Sequence, residues 1–91
     1  MTKTPNVVEV TVLLFGKAKE LAKRSEVQIA VPSELSYHRL KELIFQAIDG
    51  IAPVKQSCLL SLDQRYLSHD DETVVLTTNS ELAVIPPLSG G

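Results

Sequence analysis

Cysteine occurs once in this sequence of 91 residues, at Cys58, and tryptophan not at all. A single cysteine excludes an internal disulfide framework and a multi-cysteine zinc site, and it fits a reducing compartment. Two Tyr and two Phe supply all the aromatic side chains, too few for a base-stacking platform. Basic charge is not in surplus either: nine Lys and Arg stand against eleven Asp and Glu, a net charge of −2. A phosphate backbone calls for a basic surface, so nucleic acid is not an expected partner. No apolar run approaches the roughly 20 residues of a bilayer span, and the polar start of the chain lacks the apolar stretch of a secretory signal. No membrane association is expected, and the cytosol is the expected location. The length admits one domain. A domain this short buries only somewhat over ~60% of its unfolded surface, leaving little volume for an enclosed substrate cavity.

What is present is a clear alternation of strand and helix patterns. Residues 1–6 are expected to form a flexible tail, residues 7–86 a folded domain, and residues 87–91 an extended C-terminal tail. Val8, Val10, Val12 and Leu14 share one face of a first strand, and Leu13 and Phe15 point away from it. Gly16 breaks that strand, and 17–23 reads as a short helix. Val27, Ile29 and Val31 alternate in a second strand that Pro32 is expected to end. Leu40, Leu43, Ile44, Ala47 and Ile48 then form an apolar stripe at helical spacing. Ser36 is the expected N-cap, with Leu35 and Leu40 as a hydrophobic staple. Asp49-Gly50 is expected to close the helix with a glycine just past its end. Residues 58–62 read as a third strand, 63–65 as its turn, 66–67 as a short return strand, 73–78 as an edge strand and 81–85 as the last strand. This order predicts an α+β fold of the ubiquitin-like β-grasp kind. Its mixed sheet would have central, parallel first and last strands, and one main helix packed across one face.

The end of the chain carries the functional signal. The last strand runs into Pro86-Pro87, then Leu88-Ser89, then Gly90-Gly91. Two prolines stiffen the exit from the domain. The four residues from Leu88 can reach roughly 13–14 Å, at ~3.3–3.6 Å per residue. Glycine has no Cβ, so Gly90-Gly91 can thread a narrow channel and leave a terminal carboxylate open to attack. A carboxylate is a poor electrophile until it is activated, for example as an acyl-adenylate formed with ATP. At about 7% glycine, a chance Gly-Gly ending occurs roughly once in two hundred chains.

The segment from Glu81 through Pro86-Pro87-Leu88-Ser89-Gly90-Gly91 resembles the C-terminus of the sulfur-carrying small subunits of molybdopterin synthase. The stretch from Val10 to Leu21 is similar to the opening strand and first helix of that family. One departure is Asn79-Ser80, where the family usually has Gly-Asp; asparagine tolerates a left-handed turn, so the turn is expected to survive. The resemblance implies that Gly91 is adenylated by an enzyme of the ubiquitin-activating type, an adenylyltransferase and sulfurtransferase that uses ATP. Gly91 then becomes a thiocarboxylate. Sulfur would pass from Gly91 to a pterin precursor in the active site of a large catalytic subunit, forming the dithiolene of molybdopterin. The assembly implied is a heterotetramer of two small and two large subunits. This chain would not be an enzyme on its own, and it would hold no metal or permanent cofactor. The alternative is a ubiquitin-like protein modifier, or a sulfur carrier for tRNA or thiamin thiolation, using the same activated terminus.

Pro86, Pro87, Leu88, Ser89 and Gly90 are the expected threading residues. Phe15, Ile85 and Leu88 are the expected docking residues, gathered at one sheet end if the first and last strands are parallel neighbours. Cys58 reads as a buried structural residue. His38 lies off the helical stripe, and His69 with Asp70, Asp71 and Glu72 reads as a solvated loop rather than a metal site. Lys17, Lys19, Lys23 and Arg24 form a small basic group, either a contact for an acidic partner or a solvated face.

Overall fold

The computed structural model describes residues 6–67 and 73–86. Strand β1 (Val7–Leu14) buries its even positions: Val10, Val12 and Leu14 are inside and Val8 half-buried. The chain turns into α1 (Gly16–Ala22) through Gly16, whose φ of +55° is a conformation that disfavours a side chain. Lys23 ends α1 in the left-handed region, its N–H donating to the Lys19 carbonyl. Strand β2 (Glu26–Pro32) returns antiparallel to β1, with Val12 opposite Val27 and Val10 opposite Ile29.

Pro32 does not stop β2 but belongs to it. Leu14 donates to the Ser25 carbonyl and Ser33 to the Asn6 carbonyl, so the odd-numbered residues of this strand turn their backbone groups toward β1. The even-numbered ones, Pro32 among them, turn outward, and the missing proline donor costs no ladder bond.

A three-residue strand that the pattern does not reveal, β3 (Glu34–Ser36), follows at once. It leads into α2 (Tyr37–Ala47) through Ser36, whose side chain accepts the Arg39 N–H at 3.2 Å. Leu40, Ile44 and Ile48 are buried as expected. Leu43 is only half-buried, and Ala47 is exposed. Tyr37 and Phe45 are buried instead. The stripe is rotated by about one residue because α2 packs against β3 and β6 as well as β2. The helix ends at Ile48 in extended conformation, so Gly50 (φ +91°) is the second residue past the cap, not the first. Pro53 lies in a short 3₁₀ turn, Ala52–Val54.

Strands β4 (Leu59–Leu62) and β5 (Arg65–Tyr66) form a hairpin across a two-residue turn, with Asp63 at φ 50° and Gln64 at φ 71°. Strand β6 (Thr73–Val75) pairs antiparallel with β3 in a separate two-stranded sheet, shorter than the 73–78 edge strand the sequence suggests. Strand β7 (Glu81–Ile85) completes a five-stranded sheet in the order β2-β1-β7-β4-β5. β7 is parallel to β1, with Thr11 opposite Glu81 and Leu14 opposite Val84, and antiparallel to β4. This is the ubiquitin-like β-grasp. Its core lies between α2 and one sheet face, where Val12, Leu40, Ile44, Leu60, Leu82 and Val84 are fully enclosed.

The turn before β7 is built differently from the expected left-handed asparagine. Among the described non-glycine residues only Lys23, Asp63 and Gln64 have positive φ, so Asn79 does not supply that conformation. The Ser80 hydroxyl accepts the Thr77 N–H at 2.9 Å, and the Ser80 N–H donates to the Thr77 carbonyl at 3.0 Å. The buried serine closes the turn by hydrogen bonding. Asp63 fixes the start of β7: its N–H donates to the Glu81 carbonyl, and its Oδ1 accepts the Glu81 N–H at 3.0 Å.

Candidate functional site

β7 is the central strand, held by β1 on one side and β4 on the other, and it delivers the chain to Pro86. The exit is braced where β1 ends. The Phe15 N–H donates to the Val84 carbonyl, and a Cβ added at Gly16 would lie 2.5 Å from Pro86 Cγ. Gly16 therefore leaves room for the Pro86 ring, and the end of β1 and the end of β7 are in contact. Pro86 is half-buried there.

The sheet face opposite α2 is open. Register places Leu13, Ala83, Ser61 and Tyr66 in one row across β1, β7, β4 and β5. Ile85 and Leu59 face each other one pleat nearer the exit, beside Phe15. The small residues Ser61 and Ala83 form the floor of a shallow basin of about 330 Å³, rimmed by Leu13, Phe15, Tyr66 and Ile85, with Glu81 and Gln64 at the far end. Phe15 is 46% exposed and Tyr66 65%. Large apolar side chains this exposed, gathered around a concavity, are the composition of an interface centre rather than of a solvated face.

Of the expected docking residues, Phe15 and Ile85 come together at the exit end of this basin, Phe15 exposed and Ile85 half-buried. Leu88, Pro87, Ser89, Gly90 and Gly91 lie outside the described residues. Tyr66, Leu59 and the small floor residues were not among the expected docking residues. Only strand pairing brings β4 and β5 beside β7, and their sequence alone carries no sign of it.

Of the residues set aside, Cys58 and His38 lie where that reading puts them. Cys58 is buried, and burial pushes its thiol pKa up, against a smaller opposing pull from Lys41. Lys41 donates to the Cys58 carbonyl at 3.0 Å, and partial burial lowers its own pKa. His38 meets the Tyr37 ring edge-on, with centroids 6.0 Å apart. The loop containing His69 lies outside the described residues. Among the described residues no group of His, Cys, Asp or Glu could hold a metal ion, and no helix is long and apolar enough to cross a membrane. In the basic group Lys17 pairs loosely with Glu20 at 3.9 Å, while Lys19, Lys23 and Arg24 line an open depression next to Gly16.

The model of the ThiS family matches residues 12–91, from the middle of β1 to the terminal glycine. The chain belongs to the ThiS family. The molybdopterin synthase sulfur carrier subunit of Drosophila yakuba is 35% identical to this ThiS-family chain over 85 residues, 93% of each protein. That of Caenorhabditis briggsae is also 35% identical, over 93% of this chain and all of the relative. Among solved structures, Haloferax volcanii small archaeal modifier protein 1 superimposes with a TM-score of 0.72 at 13% identity, over 89% of this chain and 99% of that one. The protein–protein complex of subunits 1 and 2 of the molybdopterin-converting factor from Helicobacter pylori contains a chain matching at TM-score 0.63 and 20% identity, over 91% of this chain and 99% of that one. At these identities the structural likenesses show the β-grasp fold, while the sequence relatives and the family model establish the family.

Proposed function

We propose that the chain is the sulfur-carrier subunit of a molybdopterin synthase, with the Gly91 carboxylate as its reactive group. The observation that carries the reading is the shared exit: the central strand launches Pro86 beside an exposed apolar basin that holds Phe15 and Ile85. A basin at the root of a tail can seat a partner while the tail enters that partner's active site. The carrier relatives, matched over nearly the full length, support the same reading.

In this reading a Gly91 carboxylate oxygen attacks the α-phosphorus of ATP on an activating enzyme, and pyrophosphate leaves. Sulfide-level sulfur (HS⁻) then attacks the acyl carbon, the bond to AMP breaks as AMP leaves, and the new C–S bond is that of the terminal thiocarboxylate. Pro86 and Pro87 stiffen the root, and Leu88, Ser89 and Gly90 thread the channel. The large subunit supplies the acids and bases and the pterin pocket, with two small subunits at opposite ends of a large-subunit dimer. This chain contributes cargo and docking surface, needs no bound cofactor, and works in the cytosol.

Intact mass after incubation with ATP, an adenylating enzyme of the ubiquitin-activating type and a sulfur donor tests this directly. Exchange of one terminal oxygen for sulfur is expected. Products joined instead to lysines of other proteins would sink the carrier reading in favour of a protein modifier.

A further inference from the structure

Pro86 follows β7 directly, but it cannot extend a sheet ladder as a donor because proline has no N–H. Hydrogen bonds hold the chain just before it: the Phe15 N–H donates to the Val84 carbonyl at 3.3 Å, and Ile85 pairs with Leu59 on β4. At Pro86 the restraint on the β1 side is packing, and the residue it packs on is Gly16. A Cβ built on Gly16 would lie 2.5 Å from Pro86 Cγ, 3.4 Å from Cδ and 3.7 Å from Cβ. Ordinary carbon–carbon contact is ~3.5–4.0 Å. The proline ring therefore occupies the space that a side chain at residue 16 would fill.

The glycine has little freedom to retreat. Phe15 N–H is bonded to β7, and the Phe15 carbonyl accepts the Lys19 N–H at 3.3 Å, which fixes the first turn of α1. Ala18, two residues on, is fully buried. Residue 16 is thus anchored on both sides, whereas Pro86 is half-buried and lies past the end of its strand. An added Cβ would be cleared by moving Pro86, by about 1 Å to reach ordinary contact. Pro86-Pro87 is stiff, so a displacement at the root is carried into the residues that follow. A reacting group misplaced by ~1 Å can lose up to ~10²-fold in rate.

We propose that Gly16 is a positioning residue for the chemistry at Gly91: by leaving its side-chain space to the Pro86 ring, it sets the direction in which the tail leaves the domain. Gly16 acts through Pro86 and touches no reacting atom. The chemical consequence rests on the carrier reading; the steering of the tail does not.

The full chain is loaded with ATP, an adenylating enzyme of the ubiquitin-activating type and sulfide, and intact mass followed in time gives kcat and KM for the carrier. Gly16→Ala is expected to lower kcat about tenfold. KM is expected to stay within about twofold, because the Phe15–Ile85 basin is untouched. Alanine at the Gly16 φ of +55° also strains the backbone, so the same substitution is made in a Pro86→Ala background, where ring Cγ and Cδ are gone. There it is expected to change kcat by less than about twofold. A folded Gly16→Ala chain with the original kcat, a change in KM alone, or an equal loss of kcat in the Pro86→Ala background would overturn the proposal. Tail direction is read without chemistry from a nitroxide on Leu88→Cys in a Cys58→Ala chain, through the domain amides it broadens by NMR. Gly16→Ala is expected to change that set of amides, and an unchanged set overturns the steering even where the chain takes up sulfur. A chain with Gly16 intact that takes up no sulfur sinks the carrier reading instead, and the broadening still decides the steering. If Gly16→Ala fails to fold, Pro86→Ala alone is expected to change the same set, and its constancy overturns the proposal.

Discussion

Phe15, the residue just past β1, is 46% exposed, on the face opposite the core. A charged residue there meets water in the free chain but an apolar partner in the docked one. Phe15→Asp is therefore expected to change folding stability by only about 0.5 kcal/mol, while weakening association with the large subunit by about 2 kcal/mol or more. Urea unfolding and calorimetric titration would separate the two effects, and a variant that melts would place the ring in the core. Cys58 shows the opposite environment. Its thiol is buried with its pKa raised by loss of hydration, so the folded state holds that proton at a pH where the unfolded chain has released it. The stability this represents is present below the unfolded value and declines as pH rises past about 8.5. Tyr37 acts with the same sign, while Lys41, its pKa lowered, opposes both. Replacing Cys58 by Ala is expected to flatten the fall in melting temperature between neutral and alkaline buffer. An unchanged slope would show that the thiol does not titrate differently on folding.

Each element depends on a few local interactions whose loss can be measured. Ser36 caps α2 through the Arg39 N–H, and Leu35 and Leu40 bracket it, so Ser36→Ala is expected to cost about 1 kcal/mol in chemical denaturation. These signals lie within a few residues of one another, which is why α2, β1, β2 and β7 could be placed from the sequence. Elements whose existence depends on distant partners could not. β3 is three residues long and exists as a strand because β6 lies beside it, and the same pair carries α2 round so that Tyr37 and Phe45 are covered and Ala47 is not. Asn79-Ser80 suggested a turn by backbone conformation, but a serine hydroxyl closes it, a bond that composition does not announce. The candidate site divides in the same way. Phe15 and Ile85 could be inferred from strand alternation and a parallel pairing of the outermost strands in sequence. Tyr66 and the Ser61–Ala83 floor required the β4 register.

At the scale of the molecule, the proposed function divides folding and chemistry between different parts of the chain. The enclosed core runs from β1 to β7, the β4–β7 pairing reaches Ile85, and Pro86 lies against Gly16. The core, the sheet ladders and the α2 cap described above are built by residues between Asn6 and Pro86. Deleting Gly91 is expected to leave the melting temperature within about one degree, since ~1 kcal/mol would move it by several degrees in a domain of this size. The same deletion is expected to abolish thiocarboxylate formation and all sulfur transfer, because Gly90 would then end the chain one residue, roughly 3.5 Å, short of the activating centre. Near-attack geometry tolerates far less than that displacement. One added residue beyond Gly91 should block the chemistry as completely, by placing a peptide bond where the carboxylate must be. A truncated chain that still accepted sulfur in the intact-mass assay would mean that the reactive group lies elsewhere in the molecule.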